Sequence, residues 1–327
     1  MDKKYSVILG NLGNTCDRFL SSGYKDELDK DLMLKQAAGI EQVSGIELVG
    51  TWDIDSSNVG EMKSKLSEVG LSCSSLIPDL FSQKHFGKGA LTSADAGIRK
   101  QAVGVINEMT DVAVELGGDL VNVWPGQDGY DYPLAADFLQ ERTWLIDGLK
   151  ECAEYAAARN VRLALEYKPK EPRNHSYIAR AADTLLLVNA IDMPNVGVTI
   201  DTGHAFMAYE NVAESIVILQ MAGNKLFHMH FNDNYTSWDD DMIVGSIHLP
   251  EYLEMLYWLQ KTGYSGWYSM DQYPYREDGY QAVRSSVLYL QKLQSILDRV
   301  GMNVVEEVIS ARNPVKTSEF IRNHLIA

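Results

Sequence analysis

Cysteine is scarce: Cys16, Cys73 and Cys152 are the only three in 327 residues, and no two form a CxxC pair. That excludes a disulfide framework and a thiolate zinc site. Basic residues are also few, 29 Lys plus Arg against 45 Asp plus Glu, for a formal net charge of -16. A surface of that sign repels a phosphate backbone, so no nucleic-acid partner is expected. No apolar run reaches the length of about 18 residues that a membrane span needs. Residues Met1 to Ser6 lead into a strand-like run without a signal-peptide core. The expectation is a cytoplasmic protein with no membrane partner. No Pro/Ser-rich linker divides the chain, and Gly10-Asn11-Leu12-Gly13-Asn14 lacks the spacing of a dinucleotide fingerprint or nucleotide loop. No phosphate is assigned to it.

What the chain does have is 46% hydrophobic residues with 23% charged, enough for a large core and unlike a disordered chain. Short apolar runs recur with helical stretches between them, the pattern of βα units around a parallel sheet buried on both faces. Strands are expected at Ser6–Leu9, Ile46–Val49, Ser74–Ile77, Leu120–Val123, Leu163–Glu166, Gly197–Ile200, Leu226–His230 and Trp267–Met270. Helices are expected near 28–38, 58–69, 97–117, 135–159, 178–190, 211–222, 250–261 and 280–298, the third stopped by Gly117-Gly118. Eight of each predict a (β/α)8 barrel of the α/β class over residues 1–299. Residues 300–327 form a C-terminal extension with an amphipathic segment, Ser318 to Ile326, packed on the barrel wall or placed at a subunit contact.

Such barrels carry their active sites at the C-terminal ends of the strands. Glu166, Asp201, His230 and Asp271 end or follow four consecutive apolar runs. A lone strand-end carboxylate is usually a cap or ion-pair partner, but four in succession fit ligands converging on one cation. Three carboxylates with one imidazole suit Mn²⁺, Mg²⁺ or Co²⁺ better than a thiolate-preferring ion, with Mn²⁺ the first expectation. His204 follows Asp201-Thr202-Gly203 and can face a substrate. His228 shares a strand face with His230 and reads equally as a core histidine.

The stretch Glu166 to Tyr177 is the densest polar run after any strand. Its prolines restrict the backbone, so Lys168, Glu171, Arg173 and His175 lose less entropy when fixed around a polyol. His175 is the expected principal acid/base, with Glu166 or Asp271 assisting, and His204 is the rival. Trp52 and Trp124, with Tyr130, Tyr273 and Tyr275 at other strand ends, read as rim packing or as the lining of a pocket for a sugar-like ligand.

The Glu166 strand, Asp201-Thr202-Gly203-His204, His228-Met229-His230-Phe231-Asn232-Asp233 and the acid after the eighth strand resemble the xylose-isomerase-like barrel superfamily of sugar isomerases and epimerases. The resemblance implies Glu166, Asp201, His230 and Asp271 as metal ligands and His204 as a substrate contact, beside Lys168, Arg173, Trp124 and Trp52, which their places after the strands already mark as expected substrate contacts. Asp271 stands where many epimerases of the superfamily have Glu, which weakens a two-glutamate proton transfer. Asp271 and Glu166-Tyr167-Lys168-Pro169-Lys170-Glu171-Pro172 are similar to the rhamnose-isomerase branch. The opening Tyr5 to Gly13 with Asp17-Arg18-Phe19, and the segment Arg173 to Tyr177, resemble the catalytic subunit of bacterial C-glycoside deglycosidases.

That last resemblance implies cleavage of the C–C bond between sugar and aglycone in 3-oxo-glucosyl C-glycosides through an enediolate, a lyase reaction, with a small β-sandwich partner in a hetero-oligomer. The alternative is a metal-dependent sugar isomerase or epimerase acting on a free sugar, aldose–ketose or at C3 of a ketose, as a homo-oligomer. A third reading is a non-catalytic sugar-binding barrel or partner subunit.

Overall fold

The computed structural model describes residues 3–326. Among the described residues ten strands follow one another as β1 (Lys4–Ile8), β2 (Val43–Val49), β3 (Ser72–Ile77), β4 (Leu120–Val123), β5 (Gly129–Tyr130), β6 (Arg162–Glu166), β7 (His175–Ser176), β8 (Val196–Asp201), β9 (Leu226–Phe231) and β10 (Trp267–Met270). Eight of them close a parallel barrel in the order β1-β10-β9-β8-β6-β4-β3-β2, and β5 pairs with β7 in a separate antiparallel ribbon. The expected eight-stranded barrel is therefore present, and each expected strand lies on an observed one.

Helices α1 (Lys30–Gly39), α2 (Val59–Val69), α3 (Ala96–Leu116), α4 (Phe138–Ala157), α5 (Ala181–Ile191), α6 (Thr202–Met207), α7 (Val212–Met221), α8 (Leu249–Thr262) and α9 (Gly279–Val300) fill the connections. In α3 the Asp95 side chain accepts the Gly97 N–H at the N-terminus, and Gly117, at φ 78°, ends the helix in the left-handed conformation. In α9 the buried positions Val283, Val287, Leu290, Leu293 and Leu297 recur at three- and four-residue intervals and pack against the barrel.

The C-terminal segment is two helices where one amphipathic segment was expected: α10 (Met302–Ala311) and α11 (Pro314–Leu325). Val305 is buried, and Phe320 and Leu325 pack half-buried against the core, while α11 itself keeps no fully buried side chain. Among the described residues no helix is long and apolar enough to cross a membrane.

Strand register explains why the barrel interior is polar. Residues paired across neighbouring parallel strands point to the same side, and Gly45, Ser6, Ser269, His230 and Asp201 form one such row. The alternate residues Val7, Met270, Phe231 and Ile200 face the helices and are fully buried there. Interior positions of such barrels are usually bulky and branched. Here many are Ser, His, Asp, Glu, Asn and Thr, so the interior is built for charge as well as for packing.

Candidate functional site

Glu166 and Asp201 end β6 and β8, His230 lies on β9, and Asp271 follows β10. Each of the four offers a ligand atom, and those atoms lie within 4.8 Å of one another. His230 Nδ1 is 3.4 Å from Glu166 Oε1 and 3.1 Å from Asp271 Oδ2. Neighbours fix the carboxylates: Asn122 Nδ2 donates to Glu166 Oε2 at 2.6 Å, Thr199 Oγ1 donates to Asn122 Oδ1 at 2.6 Å, and Asn232 Nδ2 donates to Asp201 Oδ2 at 2.8 Å. The Asp201 side chain also caps α6 through its Oδ1, which accepts the His204 N–H at 2.8 Å. Gly203 makes the turn possible, because a Cβ there would collide with Asn232 Oδ1.

The electrostatics favour a cation among these groups. Burial works against the Glu166 charge, yet His230 and His204 hold its pKa at about 2. Burial pushes Asp201 up to about 7, with Asp239, Asp271 and Glu166 adding repulsion. His230 Nδ1 is buried and makes no hydrogen bond although two carboxylates face it. An unpartnered buried ring nitrogen beside clustered carboxylates is what a divalent cation would satisfy, and this oxygen-rich donor set fits one.

A second charged group adjoins the first. His204 places Nε2 3.0 Å from Asp239 Oδ2 and Nδ1 3.3 Å from Glu166 Oε1, and Lys168 Nζ lies 2.7 Å from both Asp239 Oδ2 and Glu171 Oε2. Asp201, His204 and Asp239 also bring ligand atoms within 4.8 Å of one another. Burial opposes charge on His204, but Asp201 and Asp239 outweigh it and raise its pKa to about 9.

The other expected site residues divide by position. Lys168 is buried and holds Nζ 5.2 Å from the centre of the Trp124 ring, and Phe81 bridges Trp124 to Trp52 with centroid separations of 4.8 and 5.5 Å. Trp52 is exposed at the outer end of this row. Arg173 is engaged elsewhere, with Nε 2.8 Å from Asp131 Oδ2 and one amino group donating to the Gln127 carbonyl. His175 lies exposed on β7, its ring stacked on Tyr130 at 4.7 Å, and makes no hydrogen bond or ion pair with the four clustered residues. His228 is fully buried and donates to Glu47.

Three residues of this constellation were not singled out from the sequence. Asp239 belongs to Asp239-Asp240-Asp241, an acidic run shortly after His230 that could have drawn attention. Glu47 is a lone carboxylate inside the apolar β2 run, and Asn122 interrupts the apolar β4 run in the same way.

The sequence profile of the family described as the xylose isomerase-like TIM barrel matches residues 36–293. Xylose isomerase of Thermus thermophilus is 31% identical over 229 residues, 69% of this chain and 59% of that protein. The Thermus caldophilus xylose isomerase is 30% identical over the same shares. The matched region thus spans less than two thirds of these curated relatives. Among solved structures, a D-tagatose 3-epimerase-like protein superposes with a TM-score of 0.70 at 22% identity, covering 91% of this chain and 99% of that one. The 3-keto-D-glucoside 4-epimerase of E. coli gives 0.69 at 19% identity, covering 89% and 99%. These two likenesses concern the fold. The profile match over most of the chain shows that it belongs to the xylose isomerase-like TIM barrel family.

Proposed function

We propose that the chain is a divalent-metal-dependent sugar isomerase or epimerase. The observation that carries this reading is the convergence of Glu166, Asp201, His230 and Asp271 around a buried His230 Nδ1 that has no hydrogen-bond partner. The xylose isomerase relatives and the epimerase neighbours support the same class of reaction. Glu166, Asp201, His230 and Asp271 would hold the ion, with Asp201, His204 and Asp239 as a candidate second set. Such an ion supplies Lewis-acid charge to the sugar's carbonyl and hydroxyl oxygens and favours loss of a neighbouring C–H proton.

The protein's own groups do the rest. Lys168 is fixed by Asp239 and Glu171 and keeps a positive charge beside the carboxylates, where it can donate to a sugar hydroxyl or carbonyl. His204 is held through Nε2 by Asp239, with Nδ1 3.3 Å from Glu166 Oε1, and is the buried imidazole able to hold or return a proton. Asp271 is the most open of the four clustered residues, with a side chain 25% exposed, which supports a contact with substrate. In epimerisation or enediol isomerisation, one base takes the proton next to the carbonyl and a proton is returned to the same or the adjacent carbon.

Cleavage of 3-oxo-glucosyl C-glycosides is the second reading, prompted by His175. On the β5–β7 ribbon beyond β4 and β6, this imidazole stacks on Tyr130 outside the buried cluster, where an aglycone extending from the sugar could receive a proton. There, loss of the C2 proton forms the C1–C2 double bond as the C1–aglycone bond breaks, and the aglycone carbon takes up a proton. The 3-keto-D-glucoside named for one structural neighbour suits this substrate class. This reading includes a small β-sandwich partner, with α10 and α11 as a candidate contact, whereas the isomerase reading includes a homo-oligomer. Metal analysis, then assays of the lone chain on free aldoses and ketoses and of the chain with and without a co-expressed small all-β partner on a 3-oxo C-glycoside, separates the readings. Turnover of a free sugar by the lone chain supports the first; turnover of the C-glycoside alone supports the second.

A further inference from the structure

We propose that Glu47 is a positioning residue for the metal centre, holding His228 and His230 by their Nε2 atoms so that His230 presents Nδ1 to Glu166 and Asp271. The proposal rests on the reading that this cluster holds a divalent ion. Glu47 Oε1 lies 2.7 Å from His228 Nε2, and Oε2 lies 3.2 Å from His230 Nε2. Ser75 Oγ donates to Oε2 as well. All three side chains of the Glu47–His228–His230 group are fully buried.

The contact reaches across the barrel, since β1 and β10 separate β2 from β9 in the sheet order. A buried carboxylate is costly unless hydrogen-bonded, and the two imidazoles and the Ser75 hydroxyl supply those bonds to Glu47. The partner of one ring nitrogen sets which nitrogen carries the proton. With Nε2–H donated to Glu47, the neutral imidazole has its lone pair on Nδ1, the His230 atom that faces the carboxylate cluster without a hydrogen bond. A carboxylate behind a ligating histidine also raises that ligand's basicity.

The group itself could be taken for a third cation site, because its ligand atoms also lie within 4.8 Å of one another. At 2.7 Å, however, Glu47 Oε1 and His228 Nε2 are closer than two ligands of one ion at about 2.1 Å usually stand. They are in hydrogen-bond contact, and the role that follows is orientation. Glu47→Gln would turn an amide NH₂ toward one imidazole, oppose the Nε2–H tautomer there, and remove the charge behind both rings.

Co²⁺ titration of the full chain tests this, followed by d–d absorbance and competition with a chromophoric chelator. In Glu47→Gln, Co²⁺ affinity should fall about 10- to 100-fold and the absorbance should change, while the metal-free melting temperature stays close to wild type. Wild-type Co²⁺ binding with unchanged affinity in a folded Glu47→Gln protein overturns the Glu47 role but leaves the metal reading intact. Absence of Co²⁺ binding by the wild type overturns the metal reading itself. If Glu47→Gln does not fold, ¹⁵N-histidine spectra of wild-type protein loaded with Zn²⁺ decide the matter. His230 protonated at Nε2 and metal-shifted at Nδ1 supports the proposal, whereas the reverse overturns it.

Discussion

Lys168 Nζ lies 2.7 Å from Asp239 Oδ2, with both side chains buried, and the same oxygen meets His204 Nε2 at 3.0 Å. Burial opposes charge on either partner, but their mutual attraction wins: Lys168 is raised above the ordinary lysine range and Asp239 is held well below the ordinary carboxylate range. Because the pair sits beside Glu166 and Asp201 through His204, it sets the charge that the candidate site presents to a substrate.

Lys168→Met should therefore destabilise the metal-free protein by about 3–5 kcal/mol, the usual effect of orphaning one partner of a buried ion pair. In the double variant with Asp239→Asn, the total loss should be smaller than the sum of the single losses, because the Lys168→Met change no longer leaves a buried carboxylate behind. Denaturant unfolding of the four proteins measures this coupling. A Lys168→Met loss below about 1 kcal/mol, typical of an exposed pair, contradicts it.

Glu166→Gln and Asp201→Asn should each lower metal affinity sharply while leaving the barrel folded. Each replaces an anionic oxygen by a neutral amide of similar volume at a strand end. Equilibrium dialysis with metal analysis, alongside circular dichroism, provides the check. Wild-type stoichiometry and affinity in Glu166→Gln would remove Glu166 from the ligand set.

Metal uptake near neutral pH should release protons. In the metal-free protein burial raises Asp201 to about 7, and the carboxylates raise His204 to about 9 against the effect of burial, so both hold protons as the pH falls below 7. Ligation by Asp201 requires it to lose its proton, and a protonated His204 beside it repels a cation, so affinity should weaken with falling pH. Calorimetric titration with Mn²⁺ in two buffers of different ionisation enthalpy gives the proton count. Zero release, or net proton uptake, would count against ligation by Asp201.

His175→Ala and His204→Ala should separate the two chemistries. Loss of His204 from the buried cluster should abolish free-sugar turnover, whereas His175→Ala should leave it within a few-fold of wild type. If the chain also cleaves C-glycosides, His175→Ala should slow that reaction by about 10²–10⁴-fold without changing metal content. Comparable loss of free-sugar turnover in both variants would contradict this division.

The barrel was legible because its strands, buried on both faces, read as apolar runs at Leu120–Val123 and Trp267–Met270, and because Gly117 ends α3 where the stripe ends. The convergence of Glu166, Asp201, His230 and Asp271 followed once those runs were read as strands, since their ends meet at one mouth. Glu47 was hidden for the same physical reason: one carboxylate inside an apolar run looks like a solvent-facing strand residue until the register turns it inward. Asp239 lies on a loop, where no periodicity says which member of an acidic run folds back. The β5–β7 ribbon has two residues per strand, too few for an alternation to show. Of the two C-terminal helices only the stripe within α11 was read, while α10, which buries Val305 alone, was not.

The most direct measurement removes metal from the lone full-length chain, restores Mn²⁺, and follows a panel of free aldoses and ketoses by ¹³C NMR. The proposed function predicts metal-dependent interconversion of at least one free sugar, lost on chelation and recovered with Mn²⁺. Sugar conversion indifferent to chelation, or no conversion of any free sugar by a metal-loaded chain that cleaves a 3-oxo C-glycoside, would contradict it.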